Sequence, residues 1–87
     1  MSFLNVVVSM FLHKLLLDKT MKMIPVNSTA ISAIGYEPMT KTMNVKFRNN
    51  NRIYTFCGVP SFIFDDFISA NSKGQYYDQH IRDRYRC

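Results

Sequence analysis

The chain has no tryptophan, three glycines, three prolines, two cysteines and two histidines among its 87 residues. Each shortage removes a class of chemistry. The glycines stand singly at Gly35, Gly58 and Gly74, so no glycine-rich loop is available to cradle a phosphate, and each reads as a turn or a strand end. Cys57 and Cys87 are too few and too widely spaced for a tetrahedral metal site or a secreted disulfide framework. They read as the thiols of a reduced, cytoplasmic protein. His13 and His80 are the whole histidine complement, whereas nucleophilic catalysis needs a nucleophile, a base and an orienting group within reach of one another. His80 reads as a surface or helix-packing residue, with Asp83 the one acid at a helical spacing that would let the two meet. The neighbours Asp65 and Asp66 diverge by about 100 degrees on a helix and cannot chelate one ion together. No catalytic centre, metal or cofactor is expected.

A membrane-spanning run is also missing. Phe3 to Leu17 is apolar apart from Asn5, Ser9, His13 and Lys14, and the last two interrupt it before the roughly 20 residues a span requires. No basic stretch precedes it and no small-residue cleavage site follows it, so it does not read as a signal peptide. Residues 1–20 are an apolar N-terminal extension, helical if ordered, with Leu4, Val7, Val8, Phe11, Leu12 and Leu15 forming one stripe. Three readings are open: a docked helix, an oligomer contact, or a leader translated from too early a start, with Met21 and Met23 as alternative starts.

What is present is enough for one domain. A chain this short leaves much of its surface exposed and relies on bulky side chains for its core, and 14% of its residues are aromatic. Residues 21–87 form that domain. The net charge is +5, with a pI near 9.5, which favours an acidic partner.

Pro25 withholds a ladder hydrogen bond, so the segment around Pro25 to Asn27 reads as an edge entry or a loop. Ile31 to Tyr36 reads as the first strand, ended by Glu37-Pro38. Thr42 to Arg48 alternates, with Met43, Val45 and Phe47 on one face and Asn44, Lys46 and Arg48 on the other. Asn49-Asn50-Asn51 tolerates positive φ and suits a hairpin tip. Arg52 to Cys57 is the third strand, with Tyr54 and Phe56 on one side. Pro60 opens a helix running to Ala70, with Ile63, Phe64, Phe67 and Ile68 on one face. Asn71 to Gly74 breaks it, Gly74 suiting a left-handed position, and a second helix runs from Gln75 to Asp83. The fold expected is α+β: a three-stranded antiparallel sheet followed by two short helices packed on one face.

Several short motifs occur in this order: Ile24-Pro25-Val26-Asn27-Ser28, Ile34-Gly35-Tyr36, Tyr54-Thr55-Phe56, Gly58-Val59-Pro60, Ser72-Lys73-Gly74 and His80-Ile81. Together they resemble the KTSC domain family over Met21 to Tyr85. That family takes its name from an appendage at the C-terminus of some lysyl-tRNA synthetases, and it also occurs as small free-standing proteins of bacteria and phages, the form this chain resembles. Its central motif of two aromatics flanking one residue falls on Tyr54 and Phe56, with Phe56 in place of a second tyrosine. The resemblance implies motif positions at Gly35, Tyr36, Tyr54, Phe56, Gly58, Val59, Pro60, Gly74, His80 and Ile81, and RNA binding as the function suggested by the synthetase context.

The residues themselves fit that suggestion. Lys46, Arg48 and Arg52 surround the hairpin, and Lys73, Arg82, Arg84 and Arg86 gather toward the C-terminal end, giving two basic patches for phosphates. Tyr54 is the candidate stacking platform if it lies on the open sheet face beside Arg52. A small sheet must bury its largest residues, which favours the opposite placement, Tyr54 and Phe56 under the helices. The competing function is a protein-interaction module, such as a phage or mobile-element protein that inhibits a host factor, since tyrosine and arginine also favour interfaces. Either way the expected role is a non-catalytic binding domain.

Overall fold

The structure, a computed structural model, describes residues 21–87, so the apolar extension lies outside the described residues. Four strands form one antiparallel sheet in sequence order: β1 (Ile24–Pro25), β2 (Ile31–Glu37), β3 (Thr42–Phe47) and β4 (Ile53–Phe56). Two helices follow, α1 (Ser61–Ser69) and α2 (Lys73–His80).

The sheet has one strand more than the sequence predicts. Ile24 and Pro25 pair with Ile34 and Ala33, and the Val26 amide extends the contact by donating to the Ser32 carbonyl at 3.0 Å. A two-residue strand containing proline survives because it is at the edge, where the missing N–H costs no ladder bond. Arg48, Arg52 and Cys57, expected in strands, fall just outside them.

A β-bulge at Ser32 explains how β2 contributes two isoleucines to one core. The register steps from Ile31 opposite Phe47 to Ala33 opposite Lys46, so two residues of β2 advance against one of β3. Ile31 and Ile34 would otherwise face opposite ways, yet both are fully buried. Tyr36, Met43, Val45 and Phe56 share that face through the pairings of Ile34 with Val45, Tyr36 with Met43 and Met43 with Phe56.

The helices cover this face. Ile63 and Phe67 of α1 and Ile81 just beyond α2 join the sheet residues and Val59 in a single core cluster. Phe64 and Ile68 pack at its margin, so the apolar face of α1 is the one expected. Pro60 sits at the N-cap of α1. For α2 the expected boundaries shift: Ser72 caps the helix by accepting from the Gln75 amide, which brings Gly74 inside the helix rather than at a left-handed break. Gly58 alone among the glycines has positive φ, at 68°, and supplies the turn out of β4. The hairpin tip uses Asn51 in the same way, at φ 57°.

The cysteines correct the reduced-thiol expectation. Cys57 and Cys87 form a disulfide across a sequence separation of 30, with Cα atoms 4.8 Å apart. Their distance in sequence hides this closeness. After α2 the chain turns at Asp83, φ 62°, and comes back along the end of β4, where the Cys57 amide donates to the Tyr85 carbonyl at 2.9 Å. That return places the two sulfurs together.

Candidate functional site

Several motif positions serve the scaffold. Tyr36 stacks on Phe64 with ring centroids 4.9 Å apart, and its hydroxyl donates to the Val59 carbonyl at 2.6 Å, fixing the loop that launches α1. Burial, with a smaller contribution from Asp65, raises the Tyr36 pKa. Gly35 leaves room on the helix-free face of the sheet, where a Cβ would meet Met23 Sδ at 2.8 Å and Met21 Cγ at 2.9 Å. Val59, Phe56 and Ile81 are core. His80 is exposed and lies against Tyr76 with centroids 4.5 Å apart, while Asp83 turns to Arg82 and Arg86.

The feature with binding character is a concavity of about 320 Å³ lined by Phe47, Asn49, Asn50, Tyr54, Tyr77 and Arg82. It joins the tip of the β3–β4 hairpin to the C-terminal end of α2. Phe47 forms its centre, meeting Tyr54 edge-on at 5.3 Å and Tyr77 edge-on at 5.0 Å, a favoured arrangement for aromatic pairs. Tyr77 also meets Phe56 at 5.9 Å. Asn50 holds the rim: its Oδ1 accepts from the Arg52 amide at 3.0 Å and its Nδ2 donates to the Tyr54 hydroxyl at 3.2 Å. Partial burial raises the Tyr77 pKa, opposed by nearby Arg82.

Tyr54 therefore fits neither expected placement. It pairs opposite Val45 and so shares the helix-bearing face with Phe56, but at the hairpin end of β4 it lines the hollow with Tyr77 and remains 39% exposed, whereas Phe56 is 9% exposed. One aromatic of the central motif is core and the other lines a surface hollow.

The cations separate into distinct roles. Arg82 lines the concavity and makes exposed ion pairs with Asp78 at 3.7 Å and Asp83 at 4.0 Å, the kind of surface contact that contributes little and exchanges readily. Arg52 is exposed next to the hairpin tip, and Arg84 and Arg86 are exposed on the returning tail, Arg86 paired with Asp83 at 3.0 Å. Lys46 projects from the helix-free face, its position opposite Ile53 alternating with Val45 opposite Tyr54. Arg48 is a structural clamp: its Nε donates to the Ser28 carbonyl at 2.8 Å, and Nη2 reaches those of Val26 and Ile31 at 3.3 and 3.4 Å. It ties the β1–β2 loop to the end of β3. Lys73 sits at the opposite end of α2 from Arg82, separated by the roughly 12 Å length of an eight-residue helix, and its Nζ donates to the Ala70 carbonyl at 2.9 Å.

Sequence reasoning missed Phe47, Asn49, Asn50 and Tyr77 as site residues. The asparagines signalled only a turn and Tyr77 only a helix face, since nothing local brings the hairpin tip to α2. A second hollow of about 370 Å³, lined by Lys22, Ile24, Tyr36, Pro38, Ser61, Phe64 and Asp65, lies at the β1 edge. Among the described residues there is no group of three or more His, Cys, Asp or Glu side chains placed to hold a metal ion, and no helix is long and apolar enough to cross a membrane.

Comparison with known proteins gives a consistent picture. The family model described as the KTSC domain matches residues 27–85. A protein of Tsukamurella paurometabola is 34% identical over 63 residues, covering 72% of this chain and 92% of that protein. A lysine–tRNA ligase of a Nostoc species is 34% identical over 56 residues, which span 64% of this chain but 10% of the ligase. The crystal structure of a KTSC domain protein from Yersinia pestis superposes with a TM-score of 0.72 at 35% identity, covering 76% of this chain and 92% of that one.

Proposed function

The chain belongs to the KTSC domain family, and on that premise we propose that it is a non-catalytic module that binds RNA. One observation supports this most: Arg82 from the end of α2 lines an aromatic hollow together with Tyr54 and the hairpin tip. Arg52 is exposed beside the hairpin tip, and Arg84 and Arg86 are exposed on the tail that returns along the end of β4. Cations for phosphates around rings for bases is the combination that single-stranded nucleic acid requires. A relative's name points the same way, since the ligases similar to this chain act on a tRNA.

Binding of this kind is driven by counterion release, so the logarithm of affinity falls linearly with the logarithm of salt, by about 0.7 for each phosphate contacted on a single strand. Fluorescence anisotropy with a labelled RNA across salt concentrations measures that slope. Replacing Arg52 and Arg82 with glutamate is expected to flatten it by about 1.4 and weaken binding at low salt. An unchanged slope rules out this surface as the RNA site.

A second reading has its own observation. Ile24 is 40% exposed, Phe62 60% and Met39 81%, and the apolar hollow between Ile24, Tyr36 and Phe64 lies at that end of the molecule. Such a surface suits a protein partner, whose binding would respond little to salt.

A further inference from the structure

We infer that the hollow between the hairpin tip and α2 receives one unpaired nucleobase, stacked on Tyr54, with Asn49 reading its edge and Arg82 holding the adjoining phosphate. The inference rests on the RNA reading and commits it to single strands, because a base in a duplex has its faces already covered.

Size comes first. About 320 Å³ is at the small end of the range for ligand sites, enough for a planar ring system in a hollow open to solvent. The walls are three aromatic rings, Phe47, Tyr54 and Tyr77, and the rim is polar, with Asn49, Asn50 and Arg82. A base needs this pairing of a π-surface with edge partners, and a purely aliphatic ligand does not.

The hollow is also preorganised. Phe47 holds both tyrosine rings nearly at right angles to its own, with interplanar angles of 79° and 78°, and the amide of Asn50 restrains the Tyr54 hydroxyl. Little ordering is left to be done when a ligand arrives. Because Asn50 is engaged with Tyr54 and the Arg52 backbone, Asn49, exposed at the rim, is the amide placed to pair with a base edge. The phosphate role falls to Arg82, whose partners Asp78 and Asp83 are exposed with it and 3.7 and 4.0 Å away. Asp83 faces Arg82 as well as Arg86, so its carboxylate competes for Arg82 with an incoming phosphate.

The test uses the full chain and three probes of equal length, a single-stranded oligoribonucleotide, the same strand with abasic sites and a blunt RNA duplex, and repeats the first with the Asp83→Asn protein. The intact strand is expected to bind on the order of tenfold tighter than the abasic strand and tighter than the duplex. Tyr54→Ala removes that preference, Tyr54→Phe keeps it, and Asp83→Asn strengthens binding. Asn49→Ala, an exposed turn substitution, weakens it by about threefold. Equal, salt-sensitive binding of intact and abasic strands overturns the base pocket and leaves the RNA reading standing. No binding of any strand at low salt overturns both.

Discussion

Removing the Cys57–Cys87 bridge should cost this domain a large part of its stability. The bond closes a loop of 30 residues that contains α1 and α2. Opening it returns conformational freedom to the unfolded chain, and the chain-entropy relation for a loop of this length gives about 3.6 kcal/mol. Domains of this size are stable by only about 5–10 kcal/mol. At roughly 4–8 °C per kcal/mol, the midpoint of thermal unfolding should fall by about 15–30 °C. The Cys57 amide still bonds to Tyr85 and Ile81 still packs in the core when the bridge is gone, so the tail stays docked and the loss appears as a lower midpoint rather than a missing element. Thermal unfolding followed by circular dichroism measures it on the air-oxidised protein, on the same protein with reductant, and on Cys57→Ser/Cys87→Ser. The reduced protein and the double variant should coincide, well below the oxidised form. Midpoints within about 3 °C of one another across all three samples, or two titratable thiols in the oxidised sample, would refute the reasoning.

Phe67→Ala should cost about 3–5 kcal/mol, because this ring is the largest of the fully buried side chains, and chemical denaturation of the oxidised variant should show a midpoint shifted to match. Tyr36→Phe deletes the bond to the Val59 carbonyl while keeping the stack on Phe64, so a loss of about 1 kcal/mol is expected in the same assay. The pKa values of Tyr36, Tyr76 and Tyr77 are raised above the usual 10.0, chiefly by burial. The folded state therefore retains these protons more strongly than the unfolded state, so stability should hold below pH 10 and fall as pH rises above it. Tyr77→Phe should lessen that alkaline decline, as read by denaturant midpoints across the pH series.

Much of the fold is written in local pattern. The alternation that buries Met43 and Val45, the asparagine triplet at the hairpin tip and the spacing of Ile63 and Phe67 are each produced by neighbours in sequence, and the structure follows them. The rest depends on contacts between distant residues. The bulge at Ser32 leaves no local mark, although it decides that Ile31 and Ile34 face the same way. The β1 strand is two residues long and half proline, too little for a periodic signal, and it exists because β2 offers it an edge. The disulfide joins positions that only the turn after α2 brings together. For the candidate site, Tyr54 and Arg82 were legible from residue type, but their shared hollow was not. Arg48 shows the converse limit: its charge suggested phosphate contact, and its geometry makes it a clamp on three backbone carbonyls.

Backbone amide shifts recorded by nuclear magnetic resonance during titration with a short single-stranded RNA test the central claim most directly. The account predicts that the perturbed amides group around the hairpin tip and the end of α2 with its tail, residues 47–54 and 77–86 together, and leave Ile24, Met39 and Phe64 unmoved. Perturbations confined to Ile24, Met39 and Phe64, or none at low salt, would contradict it.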